Sequence, residues 1–412
     1  MKNKSFLLHL SLIILGTILY FVANFQRIAI PGAIFDILEQ ELSVGAPEIT
    51  ALGAIYMYIY AFTQLLNGVF VDRYGGYRVM IVGGIIMAVG CILFPLTSNL
   101  PLMYFSRALL GLGGSMFYLS LIKELAELFD EKDFGIALSI MLFIGYAGGI
   151  AANAPFVMAM RILSWRELLL IIAGIVCVTI IAYLIVMRKT NFKEINRQVE
   201  LKLLPFQIVL HKSHNRSLFT FACCNFGISY VIQTVIGKKF LEDFCLMTSA
   251  KAAVVLSIMA IVAAISNIIN ASVCKLFHNH RVIFLKGASI ITFISLLIIC
   301  ILIWLDIKTV LIAFIFCILA ANASLSSLLV PVLYATNRKM ISGTAISILN
   351  FSYFMAVGIL GNITGYVLNI FEPTRIGKTL VYNNNSYLLL FTFFLVLSIY
   401  EIFRAMKLSD KY

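Results

Sequence analysis

The chain has 412 residues, of which 61% are hydrophobic and only 12% charged, and its mean hydropathy is +1.00. That composition excludes a soluble globular domain and a disordered chain, and leaves a polytopic membrane protein. The formal net charge of +12 sits mainly in the loops between apolar runs, so it reads as a topological signal and no nucleic-acid partner is expected.

A membrane-spanning helix needs about 20 apolar residues. Twelve such runs are predicted, at 7–34, 48–71, 78–98, 101–127, 134–160, 165–187, 217–238, 250–274, 282–304, 308–335, 341–368 and 386–406. They are far longer than the strands of a membrane barrel, so the predicted fold is all-α and spans the lipid bilayer. Residues 188–216 carry seven basic residues (Arg188, Lys189, Lys193, Arg197, Lys202, Lys212, Arg216) against Glu194 and Glu200, a net +5. Residues 36–48 are acidic, with Asp36, Glu39, Glu41 and Glu48. Positive charge stays in the cytoplasm, which predicts a cytoplasmic 188–216 loop, an external 36–47 loop and two cytoplasmic termini. The expected organisation is a six-helix half at 1–187, a linker at 188–216 with a surface helix around Phe192–Leu203, and a second half at 217–412.

In the first run, Tyr20, Asn24 and Arg27 share one helical face. An arginine inside the membrane is costly and is expected to face a water-filled cavity, the alternative being an outward snorkel toward Asp36. The second run carries Tyr56, Tyr60 and Gln64 as a polar stripe, read either as cavity lining or as packing tyrosines bonded to backbone. The stretch Gly68 to Arg78 is a tight loop: Gly68 leaves room for a neighbouring helix, Asp72 ends one helix, Arg73 and Arg78 lie just beyond the bilayer, and Gly75 and Gly76 permit an unusual turn.

The fourth run starts at Pro101 and places Arg107, Gly111, Ser115 and Tyr118 on one face. Arg107 is read as lining the cavity or as bonding a backbone carbonyl. Lys123, Glu124 and Glu127 are expected on a solvated helix end. The fifth run holds Gly145, Gly148, Gly149 and Pro155, and Ser164-Trp165-Arg166 opens the sixth. Runs seven to twelve are read as nearly free of internal charge, with neutral polar residues such as Asn225, Gln233 and Asn350, and with Lys238, Lys239, Glu242 and Asp243 at the outer surface. The eight cysteines are scattered, without metal or disulfide spacing. No metal and no cofactor is expected. No P-loop is present, so ATP does not drive the protein directly, and no nucleophile motif supports an intramembrane enzyme.

The pattern Gly68-x-x-x-Asp72-Arg73-x-Gly75-x-x-Arg78 resembles the loop signature between the second and third helices of the major facilitator superfamily. Arg107-x-x-x-Gly111-x-Gly113 resembles a second signature on the fourth helix, and Gly343, Asn350, Gly358, Gly361 and Gly365 resemble the glycine-rich eleventh. The segment Asn24–Ile34, with Arg27 and Pro31, resembles the first helix of the organophosphate antiporters and anion:cation symporters of that superfamily. The resemblance covers the whole chain. It implies two halves with a site between them at mid-depth, a gate at Gly68, Asp72, Arg73 and Arg78, and an anion-binding Arg27. Around Arg27 the expected substrate-binding residues are Tyr20, Asn24, Tyr56, Tyr60 and Gln64, with Arg107 and Tyr118 across the cavity and Asn225, Gln233 and Asn350 from the second half.

The expected function is secondary transport of a small organic anion or zwitterion, coupled to a proton or cation, by a monomer in the cytoplasmic membrane. Efflux of a drug, siderophore or metabolite is the alternative within transport, although the fifth run lacks the Gly-Pro pair of drug:proton antiporters. A non-transporting sensor is the alternative outside it.

Overall fold

The computed structural model describes residues 2–190, 204–276, 280–338, 341–377 and 379–409. Twelve helices among them are long and apolar enough to cross a membrane, from Phe6–Ala29 to Asn384–Met406. Helices are the expected solution, because lipid offers no partner for backbone N–H and C=O groups. Several are interrupted where the sequence supplies a reason. The first ends at Ala29, before the cis Ile30–Pro31 bond, and a short helix, Phe35–Leu42, follows. The sequence predicts one span to residue 34; the structure instead ends it at Ala29 and adds this short helix. The fourth span breaks between Ser115 and Phe117 after a glycine cluster, the fifth ends before Pro155, and the tenth breaks at Ser324–Leu325. The seventh runs Ser213–Asp243 and contains a π-helical stretch, Ile232–Ile236. The surface helix predicted around residues 192–203 lies outside the described residues.

Two compact units emerge from the packing. One comprises Met1–Ala29 and Ile55–Leu201, the other Ile30–Ala54 and Lys202–Tyr412. The connector after the first span, with the start of the second, therefore packs with the second unit.

In the first unit, the first span packs on the fourth, fifth and sixth, and the third on the fourth and sixth. Close approach is possible because glycines face backbone: a Cβ at Gly148 would lie 2.1 Å from the Phe21 carbonyl oxygen, and one at Gly113 would lie 2.4 Å from that of Gly83.

In the second unit the seventh span packs on the eleventh and twelfth, and the ninth on the tenth and twelfth. A two-stranded hairpin, Thr374–Ile376 with Thr379–Val381, joins the last two spans. This hairpin and the 30–45 connector each join an odd-numbered span to the next, which puts them on the same side. They touch there, Gln40 donating to the Thr379 hydroxyl at 3.0 Å.

Candidate functional site

The first unit gathers the polar face of the first span against the second and fourth. Asn24 is held by its own helix, its Nδ2 donating to the Tyr20 carbonyl at 2.9 Å. Its Oδ1 accepts from the Arg27 guanidinium. That guanidinium lies 5.6 Å from the centre of the Tyr60 ring, a cation–π geometry that favours retention of the charge. Tyr60 stacks on Tyr56, and Tyr20 lies 6.2 Å from Tyr118. Arg27 is 8% exposed. Arg27 is thus a buried cation set against the Tyr60 ring and steered by the Asn24 amide.

Three of the expected ligands hold backbone. The Tyr56 hydroxyl donates to the Ala23 carbonyl at 3.1 Å. Gln64 donates to the Ser115 carbonyl at 3.3 Å, and Asn67, which the sequence reading passed over, donates to the same oxygen at 2.7 Å. Ser115 ends the N-terminal half of the fourth span, so its carbonyl loses its helical partner and needs these donors. Arg107 is fully buried, donates to the Gln26 carbonyl at 2.8 Å and lies 4.7 Å from the Tyr56 ring centre. Of the two readings of Arg107, the backbone bond is the one with a geometry here. It fixes the peptide preceding Arg27 and so positions that side chain.

At the loop between the second and third spans, Gly75 has φ +83°, a conformation that glycine adopts without strain. Gly76 is required for space, since a Cβ there would lie 2.7 Å from the Ser120 carbonyl oxygen. The close helix approach expected at Gly68 is not observed, because a Cβ there would meet nothing within 4 Å among the described residues. Asp72 pairs with Lys123 at 3.5 Å while 63% of its side chain stays exposed, Arg73 lies over Tyr74, and Arg78 is exposed. Glu124, read from sequence as a solvated helix end, is buried instead. Its carboxylate accepts from the Tyr77 amide at 3.1 Å at the start of the third span, where free amides and the helix dipole favour an anion.

In the second unit, the charges expected at the outer surface are interior. Lys239 is fully enclosed, pairs with Asp36 at 2.6 Å and Asp243 at 2.9 Å, and donates to the Leu380 carbonyl. Lys238 pairs with Glu242 at 2.8 Å. Asp243 also accepts from the Tyr382 amide and the Tyr387 hydroxyl. Glu39 accepts from the Tyr382 hydroxyl. Burial pushes the Glu39 carboxyl up to about 7 and the Tyr382 hydroxyl well above its ordinary range. This cluster ties the 30–45 connector to the end of the seventh span and the 374–381 hairpin.

Of the expected second-half ligands, Asn225 is 3% exposed and its amide donates to Thr292 and Glu401. Gln233 sits in the buried π-helical stretch, and Asn350 is half-buried in the eleventh span. The reading of the second half as free of internal charge is corrected by Lys239 and by Glu401, which is fully buried.

A profile of the Major Facilitator Superfamily matches residues 16–362. A curated relative, the probable sulfoacetate transporter SauU of Cupriavidus necator, is 21% identical over 158 residues, 38% of this chain and 36% of its own length. This chain thus spans about a third of that relative. Among solved structures, a bacterial homolog of the human lysosomal transporter Spinster superposes with a TM-score of 0.73 at 14% identity, covering 97% of both chains. The nucleoside transporter NupG superposes with a TM-score of 0.72 at 16% identity, over 97% of this chain and 99% of its own. These likenesses show the fold.

Proposed function

The chain belongs to the major facilitator superfamily, and from that premise we propose that it takes up a small organic anion, or a zwitterion bearing an anionic group, across the cytoplasmic membrane, coupled to a proton or cation. The observation that carries the reading is Arg27, a buried cation set against the Tyr60 ring, within electrostatic reach of Tyr20 and steered by Asn24. A cation in a low-dielectric site is stable when an anion or water compensates it, and a guanidinium offers carboxylate, sulfonate or phosphate a planar two-pronged donor. The partial relative named as a probable sulfoacetate transporter supports an anionic substrate of that size.

Alternating access would expose the Arg27 site to one side at a time. Asp72, Arg73 and Arg78 would act at the side of the loop between the second and third spans. The basic 188–216 segment supports a cytoplasmic location for that side.

The test is uptake into proteoliposomes from a panel of labelled sulfoacetate, a dicarboxylate, a phosphate ester, a nucleoside and a cationic amine. Saturable uptake confined to the anions is expected. Saturable uptake of the nucleoside or amine with none of the anions contradicts the reading.

A further inference from the structure

We propose that Glu401 is the proton-binding group of the transport cycle, a reading that rests on the coupled uptake proposed above. Glu401 lies on the twelfth span and is fully buried. One carboxyl oxygen accepts from Asn225 Nδ2 of the seventh span at 2.9 Å. The other has no hydrogen-bond partner among the described residues. The same Asn225 amide donates to Thr292 Oγ1 of the ninth span at 3.0 Å, and Asn322 of the tenth span donates to that oxygen at 2.7 Å. Thr292 donates onward to the Ala288 carbonyl at 3.1 Å. One acid is thus wired through three neutral side chains into four spans.

Among the described residues no cation on the neighbouring elements compensates a negative charge there. Cys224 of the seventh span is the titratable group within electrostatic reach. Arg404, three residues on along the same helix, makes no ion pair with Glu401 among the described residues, and the facing groups of the ninth and tenth spans are a hydroxyl and an amide. An isolated carboxylate out of water is costly unless it is paired or takes up a proton. The neutral acid removes the buried charge and keeps the bond from Asn225, its proton sitting on the oxygen that has no partner among the described residues. The anion demands more donors, and the nearest is the Asn225 amide, which would have to leave Thr292. Gain or loss of one proton therefore repacks the seventh, ninth, tenth and twelfth spans.

The step balances simply. The Glu401 carboxylate takes one proton from water on one side, the neutral acid persists while the anion is carried, and the proton leaves to water on the other side. The cycle moves one anion with one proton; with the dianion sulfoacetate it carries one net negative charge, so the membrane potential is clamped at zero in the test.

The experiment compares wild type with Glu401→Gln, which mimics the protonated acid, in full-chain proteoliposomes. An imposed gradient of one pH unit corresponds to about a tenfold accumulation at one proton per anion. Wild type should reach about that ratio with labelled sulfoacetate, whereas E401Q should stay near equality while exchanging the anion across the membrane at the wild-type rate. Gradient-driven accumulation retained in E401Q overturns the assignment.

A substrate-free arm follows the carboxyl C=O absorption by infrared difference spectroscopy as pH is raised in the reconstituted protein. A band that bleaches in wild type and is missing from E401Q is expected. A Glu401 band that is indifferent to pH contradicts the proposal even where the anion panel fails, so the two readings fall separately.

Discussion

Replacing Lys239 by methionine tests whether the charged cluster around it holds the 30–45 connector in place. The Lys239 side chain is 0% exposed and lies between Asp36, 18% exposed, and Asp243, 4% exposed. Methionine fills most of its volume and leaves two carboxylates facing each other without a cation. Removing one partner of a buried pair costs about 3–5 kcal/mol, because the surviving charge stays desolvated. Each 1.4 kcal/mol is about a factor of ten, so the balance between docked and undocked connector should shift by roughly two to three and a half powers of ten. Hydrogen exchange of the 30–45 amides, read by mass spectrometry, reports that balance directly. Exchange in K239M should be faster by that factor. The double variant Lys239→Met, Asp243→Asn should recover part of the protection, since it deletes one of the stranded charges. Unchanged exchange in K239M would refute the reasoning and reduce the cluster to a surface feature.

Two further outcomes follow from local geometry. Glu39 has its carboxyl raised from 4.5 to about 7, so the docked connector binds a proton that the free one releases; its contribution is complete below about pH 4.5, falls as pH rises, and is gone above about pH 7, amounting to about 3 kcal/mol. Glu39→Gln should remove that slope from the thermal stability profile, and a profile identical to wild type would show that Glu39 is not the titrating group. A Cβ at Gly148 meets the Phe21 backbone while one at Gly174 meets nothing within 4 Å among the described residues; Gly148→Ala should therefore lose about 1–3 kcal/mol of stability whereas Gly174→Ala should not, and equal melting temperatures would contradict the close packing of the first and fifth spans.

The spans were legible because lipid forces each crossing into a long apolar helix, a pattern that needs no tertiary information. The turn at Gly75 was legible for a similar local reason, its glycine matching a positive φ. Arg27 and Asn24 were legible as neighbours because helical spacing alone puts them on one face. The buried charges were not. Lys239 looked like a helix end, but its partners come from Asp36 and Leu380, far away in sequence. Glu124 looked solvated because the third-span amides it caps lie 47 residues away. Glu401 sits near a helix end in sequence, and only Asn225, 176 residues before it, shows it to be interior. The helix breaks were half-legible: glycines and prolines mark the places, but which carbonyl Gln64 and Asn67 rescue depends on packing.

Arg27 is the proposed anion-binding group, and the most direct measurement is the concentration dependence of labelled sulfoacetate exchange in proteoliposomes for wild type, Arg27→Lys and Arg27→Ala. Lysine keeps the charge but loses the planar two-pronged donor, so half-saturation should rise about tenfold, matching the loss of one charge-assisted hydrogen bond. Alanine should abolish saturable exchange while the protein still folds and inserts. A folded Arg27→Ala variant that exchanges the anion with unchanged half-saturation would contradict the account.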